Sequence, residues 1–418
     1  MVMAMSGMRK PNVLPLVNRK ADFPLFHSSE HGRALHYLDN AATTQKPVSV
    51  IDAIIDCYRT SYAPIHRGIY PLAESATTSY ETARATVAGF IGAPTAEQLI
   101  FTRSATEAIN MVAWGWARTR LQPGDRIWVT RMEHHSNFLP WQRICEECDA
   151  ELRIIELQED GTLDLEAAPD LFDPRTRLIA LCHVSNVLGS VNPIRSLCEQ
   201  AAALDIPVLV DAAQSVGHMP VDVSTLGCDF LAFSAHKMYG PTGIGALYAR
   251  SERLEEMEPL LLGGGMVDRV TDRHCSWTAI PARFEAGSPN LADAVGFAAA
   301  VDYLSAIGME RVEAYVTSLT QQASEALSQC TDVRLIPAAK ASRSSIISFE
   351  MPGIHPHDIA QVAGERGVAV RAGHHCCQPL MHALGLAATT RVSFGLYNQQ
   401  EDVEALLTAI DEVRRLFV

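Results

Sequence analysis

The sequence has no long apolar runs, no clustered positive charge and no low-complexity filler. No uninterrupted apolar stretch approaches the roughly 18 residues that a membrane-crossing helix needs, so no membrane span is expected. No secretory apolar core precedes a small-residue cleavage site. No Lys/Arg block stands out among 34 bases set against 48 acids, and the formal net charge is −14. That balance speaks against nucleic acid and anionic membrane as partners. Linker-like stretches and internal repeats are also missing. With 48% apolar and 20% charged residues, the chain has the composition of a folded globular protein. Its 418 residues exceed what one core usually supports, which predicts two domains. The ten cysteines are scattered apart from the adjacent Cys376 and Cys377. They are expected to be free thiols in a reducing, cytoplasmic setting.

Between about residues 95 and 250, short β-rich runs alternate with helical patterns. The runs are QLIFT (98–102), RIWVT (126–130), ELRIIEL (151–157), RLIALCH (177–183), IPVLVD (206–211), DFLAFS (229–234) and GIGALY (243–248). Near-continuous apolar strands separated by helices predict an α/β fold: a seven-stranded, mostly parallel sheet flanked by helices. The last two runs are too close for a parallel crossover and should form an antiparallel hairpin. Beyond residue 290 a helical pattern covers 291–330. Strand-like pieces follow at 344–350 and 367–372, then a helix at 401–417. This part reads as a smaller α+β domain.

Ligands in such sheets bind beyond the carboxyl ends of the strands, so residues just past strand ends carry the most information. In SAHKMYGPTGIG (234–245), Lys237 follows an apolar strand within a Gly/Pro-rich turn. Such a lysine is ordinarily a solvated cap, but Ser234 and His236 beside it suit a phosphate, and an amine there can form a Schiff base. Asp211 ends another strand. It suits a helix N-cap, and equally a carboxylate paired with a protonated pyridine nitrogen, with Gln214 three residues on. Ser104-Ala105-Thr106-Glu107 is a capping-box pattern, and the helix N-terminus it marks can also hold a phosphate. His134 or His135 could stack on an aromatic ring and move protons, and Asn186 could donate to a ring hydroxyl. Each signal is weak alone. Together they place an amine, an acid, a stacking ring and a phosphate cradle at successive ends of one sheet.

A thiol beside Arg371, His374 and His375 makes Cys376 a candidate nucleophile, although most free cysteines are simply buried. Four consecutive residues His374–Cys377 cannot easily wrap one tetrahedral metal ion. The spaced pair Cys145 and Cys148 lies on a predicted helix without a second pair and reads as structural.

From Tyr37 to the last helix the chain resembles the fold-type I, class V aminotransferase-like enzymes that use pyridoxal 5′-phosphate (PLP). Within them it resembles the group II, SUF-type cysteine desulfurases, close to the selenocysteine lyases. The segments that carry the resemblance are YLDNAATTQKP (37–47), HRGIYPLAESATTSYETAR (66–84), EHHSNFLPWQ (133–142), HVSNVLG (183–189), SAHKMYGPTG (234–243), FEAGSPN (284–290) and RAGHHC (371–376). The resemblance implies that Lys237 holds PLP and shuttles protons, and that His134 stacks on the ring as an acid/base. It implies that Asp211, Gln214 and Asn186 hold the ring, and that Ala105, Thr106, Ser234 and His236 bind its phosphate. Ser288 would reach the phosphate of the other subunit of a homodimer. Arg391 would clamp the substrate carboxylate, with Arg371 and the His66–Arg67 pair lining the site. Cys376 would take sulfur from L-cysteine, or selenium from L-selenocysteine, and pass it to a SufE- or SufU-like acceptor for iron–sulfur cluster assembly. The division it implies is 38–300 as the PLP-binding domain, with 1–37 and 301–418 as the domain carrying the nucleophile. Three features depart from the family pattern: the SATE turn itself, Ser288 in place of a threonine, and Cys377 in place of a non-thiol.

Overall fold

The seven apolar runs pair into one sheet. The computed structural model describes residues 19–27, 34–336 and 343–417. In it the strands are β1 (Leu99–Thr102), β2 (Arg126–Thr130), β3 (Glu151–Ile155), β4 (Thr176–Cys182), β5 (Val208–Asp211), β6 (Phe230–Ser234) and β7 (Gly245–Ala249). The spatial order is β1-β7-β6-β5-β4-β2-β3. Strands β6, β5, β4, β2 and β3 run parallel. Strand β7 is antiparallel to both neighbours, so the expected hairpin forms with β6. The inner strands are buried along nearly their whole length, as a sheet covered on both faces requires. On one face the helices Pro71–Phe90 and Leu291–Ile307 pack against each other and the sheet through Tyr80, Val87, Phe297 and Val301. On the other face Ile109, Val112, Trp116 and Trp141 form the second apolar layer.

Arg84 is buried in the first layer. It donates to both oxygens of Glu285, to Glu81 and to the Leu99 carbonyl, so the charge is fully paired. A buried arginine without such partners would cost several kcal/mol.

The helical pattern over 291–330 divides in the structure. Gly308, at φ 91°, ends Leu291–Ile307, and Met309–Ser328 leaves at 79° to it. That backbone angle is open to glycine and costly for other residues. Among the described residues no single helix is long and apolar enough to cross a membrane.

The second sheet has four strands: β8 (Arg334–Ile336), β9 (Ile346–Glu350), β10 (Arg371–Gly373) and β11 (Thr389–Ser393), in the order β8-β9-β11-β10, all antiparallel. The sequence indicated only two strand-like pieces here. The piece at 367–372 serves two partners, since Val368–Ala369 pairs with His36–Tyr37 and Arg371–Gly373 pairs with β11. Of the stretch 1–37 assigned to the smaller domain, residues 1–18 and 28–33 lie outside the described residues. Phe23, within the described part, is fully buried against Tyr239, Tyr303 and Tyr397.

Candidate active site

The parallel strands deliver their carboxyl ends to one edge of the large sheet, and β11 brings Arg391 up to the same edge. A cavity of about 310 Å³ opens there. Its walls include Lys237, Asp211, Gln214, Asn186, His134, Ala105, Thr106, Ser234, His236, Arg371, Arg391 and Cys376. Residues as distant in sequence as Ala105 and Arg391 therefore share one pocket.

Lys237 ends the single turn Ala235–Lys237 that follows β6. Its ammonium is held below the ordinary lysine range by the surrounding protein, with Asp211 partly opposing. Desolvation favours the neutral amine, the form that condenses with a carbonyl. Asp211 is buried and accepts one described hydrogen bond, from the Ala213 N–H at 3.0 Å. Burial pushes its carboxyl above the usual range, while that N–H and Lys237 pull the other way. A buried carboxylate with one hydrogen bond has acceptor capacity to spare, which a protonated pyridine nitrogen would use. Gln214 donates its amide to the Ala41 carbonyl at 2.9 Å. Its Oε1 is buried and has no partner, so a polar group is left over on the cavity wall. These leftover groups fit a polar aromatic ring such as PLP.

The hydroxyl-lined end of the cavity is built as closely. Ser104 caps the helix Ala105–Val112, accepting from the Glu107 N–H. The Ala105 N–H donates to Ser234 Oγ at 2.8 Å, and Thr106 Oγ1 lies 2.7 Å from Ser136 Oγ. Gly245 of β7 makes this closeness possible. A side chain there would meet the Ser104 backbone at 2.8 Å and the Phe233 carbonyl at 2.6 Å. His236 is held by Thr43 Oγ1 at 3.2 Å, and burial and nearby Lys237 pull its ring down to about 4. Hydroxyls at a helix N-terminus match a phosphate.

His134 accepts the Ser136 N–H on Nδ1 at 3.1 Å, which leaves the neutral ring's proton on Nε2. Burial first, then Lys237 and His135, lowers it to about 3. The ring is thus neutral at neutral pH.

Arg391 is almost fully buried on β11. It donates through Nη1 to the Asn186 carbonyl at 2.9 Å and through Nη2 to Asp39 at 3.3 Å. Burial lowers it to about 10, still cationic at neutral pH, and its Nε is buried without a partner. Asp39 also accepts from Arg371 Nε at 3.1 Å. Asn186, expected to reach a ring hydroxyl, donates its amide to the His375 carbonyl at 2.7 Å. One of the two N–H groups on that amide nitrogen holds the cysteine turn, and the second is not used by that bond.

The two adjacent thiols are separated by burial. Cys376 is exposed and lines the cavity. Cys377 is fully buried, donates to the Glu133 carbonyl at 3.2 Å, and is pushed up by burial. Only the first has the access a nucleophile needs.

Ser288, His66 and Arg67 do not reach this cavity within one chain. They line a second cavity of about 500 Å³ with Gly264 and Gly265. Several site residues escaped sequence reasoning. Asp39 lies within a recognised segment but pairs with a residue 352 positions away. Glu133 is fully buried, pushed up to about 7 by burial, and takes hydrogen bonds from Thr130, Asn137 and the Cys182 N–H. It thereby ties the loop carrying His134 to the end of β4.

The profile of the aminotransferase class-V family matches residues 36–406. The chain is 45% identical to a cysteine desulfurase of Haloferax volcanii, covering 96% of both chains. It is 44% identical to a cysteine desulfurase of Pectobacterium atrosepticum, covering 96% of this chain and 98% of the relative. Among solved structures, the cysteine desulfurase CsdA of Escherichia coli, in an S-sulfonic acid form, superposes with a TM-score of 0.88. It is 39% identical over 96% of this chain and 98% of that one. The apo cysteine desulfurase of Thermococcus onnurineus gives a TM-score of 0.89 at 39% identity, covering 98% and 100%.

Proposed function

Because the chain belongs to the aminotransferase class-V family, and its relatives at 43–45% identity carry the name cysteine desulfurase, we propose that it is a PLP-dependent cysteine desulfurase. It converts L-cysteine to L-alanine and leaves the sulfur on Cys376 as a persulfide. The observation that carries this reading is one cavity holding both a desolvated lysine amine and an exposed thiol. Selenocysteine lyase is the same chemistry on selenium, and the relatives do not favour it.

Lys237 would hold the cofactor, which supplies an electron sink when bound. Asp211 would pair with its ring nitrogen and His134 would cover its face. Ala105, Thr106, Ser234 and His236 would take its phosphate. Arg391, anchored by Asp39, holds the substrate carboxylate with charge-assisted hydrogen bonds. Lys237 takes the substrate α-proton. The Cys376 thiolate attacks the substrate sulfur, forming the S–S bond as the carbon–sulfur bond breaks. The electron pair stays with the three-carbon fragment, which is protonated and leaves as alanine.

The enzyme acts as a cytoplasmic homodimer, and Ser288, His66 and Arg67 of each copy face the partner's site. Ile69 and Leu262, close in sequence to residues lining the second cavity, are 94% and 69% exposed. Large apolar side chains so placed suit burial by a second copy. Residues 38–300 form the cofactor domain, and 301–418 with the N-terminal stretch form the domain carrying Cys376. The sulfur goes to a SufE- or SufU-like acceptor for iron–sulfur cluster assembly. The deciding experiment is product analysis: L-cysteine should give alanine and persulfide with the unsubstituted protein, and neither with Cys376→Ser.

A further inference from the structure

Cys376 occupies an unusual backbone turn. His375 and Cys376 are consecutive non-glycine residues at φ 53° and 55°, in the left-handed region that side chains disfavour. Such a turn persists only where its surroundings over-determine it. Three contacts come from nearby: the Asn186 amide on the His375 carbonyl, Thr389 Oγ1 on His375 Nε2, and His374 Nδ1 accepting the Cys376 N–H at 3.1 Å.

Two further polar contacts flanking the thiol come from one residue of a different loop. The His135 N–H donates to the Cys376 carbonyl at 2.7 Å. The His135 ring accepts the Gln378 N–H on Nε2 at 3.1 Å. One histidine therefore grips the chain on both sides of Cys377, once by its backbone and once by its ring. It also follows His134 directly, so the ring over the cofactor and the turn presenting the thiol are joined by a single residue.

We propose that His135 is a positioning residue for Cys376: its ring nitrogen, as an acceptor, fixes the turn that aims the thiol at the substrate sulfur. This rests on the desulfurase reading above. His135 touches no reacting atom, and it acts only through where Cys376 is held. Small misplacements of a reacting group cost rate steeply, up to about a hundredfold for 1 Å.

The test compares His135→Phe, which keeps a ring but removes the acceptor, with His135→Gln, which returns an acceptor on a flexible chain. His135 is half-buried, so both should fold. The main-chain bond to Cys376 survives in both, which isolates the ring. Three quantities are read on the PLP-loaded protein: amide deuterium exchange of the 374–378 segment, the spectral change on adding L-cysteine, and single-turnover persulfide on Cys376 by mass spectrometry. In His135→Phe, exchange should quicken and persulfide should form roughly tenfold or more slowly, with the spectral change within about twofold. His135→Gln should recover most of both losses. Persulfide formation in His135→Phe at the unsubstituted rate, or no recovery in His135→Gln, overturns the proposal. No persulfide on the unsubstituted protein overturns the desulfurase reading instead. In that case faster exchange in His135→Phe, reversed in His135→Gln, still upholds the brace, and unchanged exchange removes it.

Discussion

Asp39 Oδ1 lies 3.3 Å from Nη2 of Arg391, joining two residues 352 positions apart in the chain. Arg371 shares the same carboxylate. The acid thus offsets two cations on the cavity wall and orients the buried one. Asp39→Asn keeps the shape and removes the charge. We expect KM for L-cysteine to rise about tenfold with kcat within about threefold, since a ground-state anchor is loosened. A fall in kcat with KM unchanged would place Asp39 in the chemical step instead.

Lys237→Ala should bind no cofactor covalently and lose the visible absorbance that borohydride bleaches in the unsubstituted protein. The amine sits desolvated at the end of β6 beside Asp211. Bleachable absorbance that survives in the variant would assign the linkage to another lysine.

The adjacent thiols should separate cleanly. Cys376→Ser should bind cofactor and respond spectrally to L-cysteine while releasing almost no alanine. Cys377→Ser should keep substantial activity and lose about 1–2 kcal/mol of stability, because a buried contact with the Glu133 carbonyl is altered. An inactive Cys377→Ser beside an active Cys376→Ser would reverse the roles.

Most of the large sheet was legible because its strands are mostly apolar and its connections are punctuated by Gly, Pro and Asp. The smaller sheet was not. Strand β11 reads TTRVS, with a buried arginine at its centre, so its pattern resembles a polar segment. The helix break at Gly308 was hidden because helix-forming sequence continues on both sides of it. Single-residue chemistry such as Lys237 and Asp211 stood out because strand ends are few. Asp39 and Glu133 did not, and His135 stood out only as an alternative stacking ring, because their partners are set by tertiary contacts between distant segments.

Acidification should destabilise the fold from about pH 6.5 downward. His183 and His218 are buried and held near 4, so below 6.5 the unfolded chain takes protons that the folded one refuses. Stability is then lost as pH falls toward 4, by about 1.4 kcal/mol per pH unit for each such group. Glu133, pushed up to about 7, works in the opposite direction between 7 and about 4.5, because the folded state binds its proton first. His134, His236 and His375, all lowered, reinforce the histidine side. Urea midpoints should therefore drop between pH 7 and pH 5. A midpoint that holds or rises would show that the buried histidines gain partners on protonation.

The last expectation concerns sulfur delivery. Only His374 and His375 separate the end of β10 from Cys376, and the helix Gln378–Ala383 begins one residue beyond Cys377. Pro379 stiffens that helix start, and Cys377 is fixed in the core. A chain spans at most about 3.3–3.6 Å per residue, so a tether this short cannot carry a persulfide far from the cavity. The same confinement that suits attack on bound substrate hinders export of the product sulfur. Turnover should then wait on removal of the persulfide, as product release often limits enzymes. With L-cysteine alone and limiting reductant, alanine formation should slow after about one equivalent per site, with persulfide trapped on Cys376. Adding a SufE- or SufU-like acceptor should raise the steady rate roughly tenfold or more and clear the persulfide from the Cys376 peptide. Full turnover without any acceptor, and no trapped persulfide, would falsify confinement as the limit while leaving the cysteine chemistry intact.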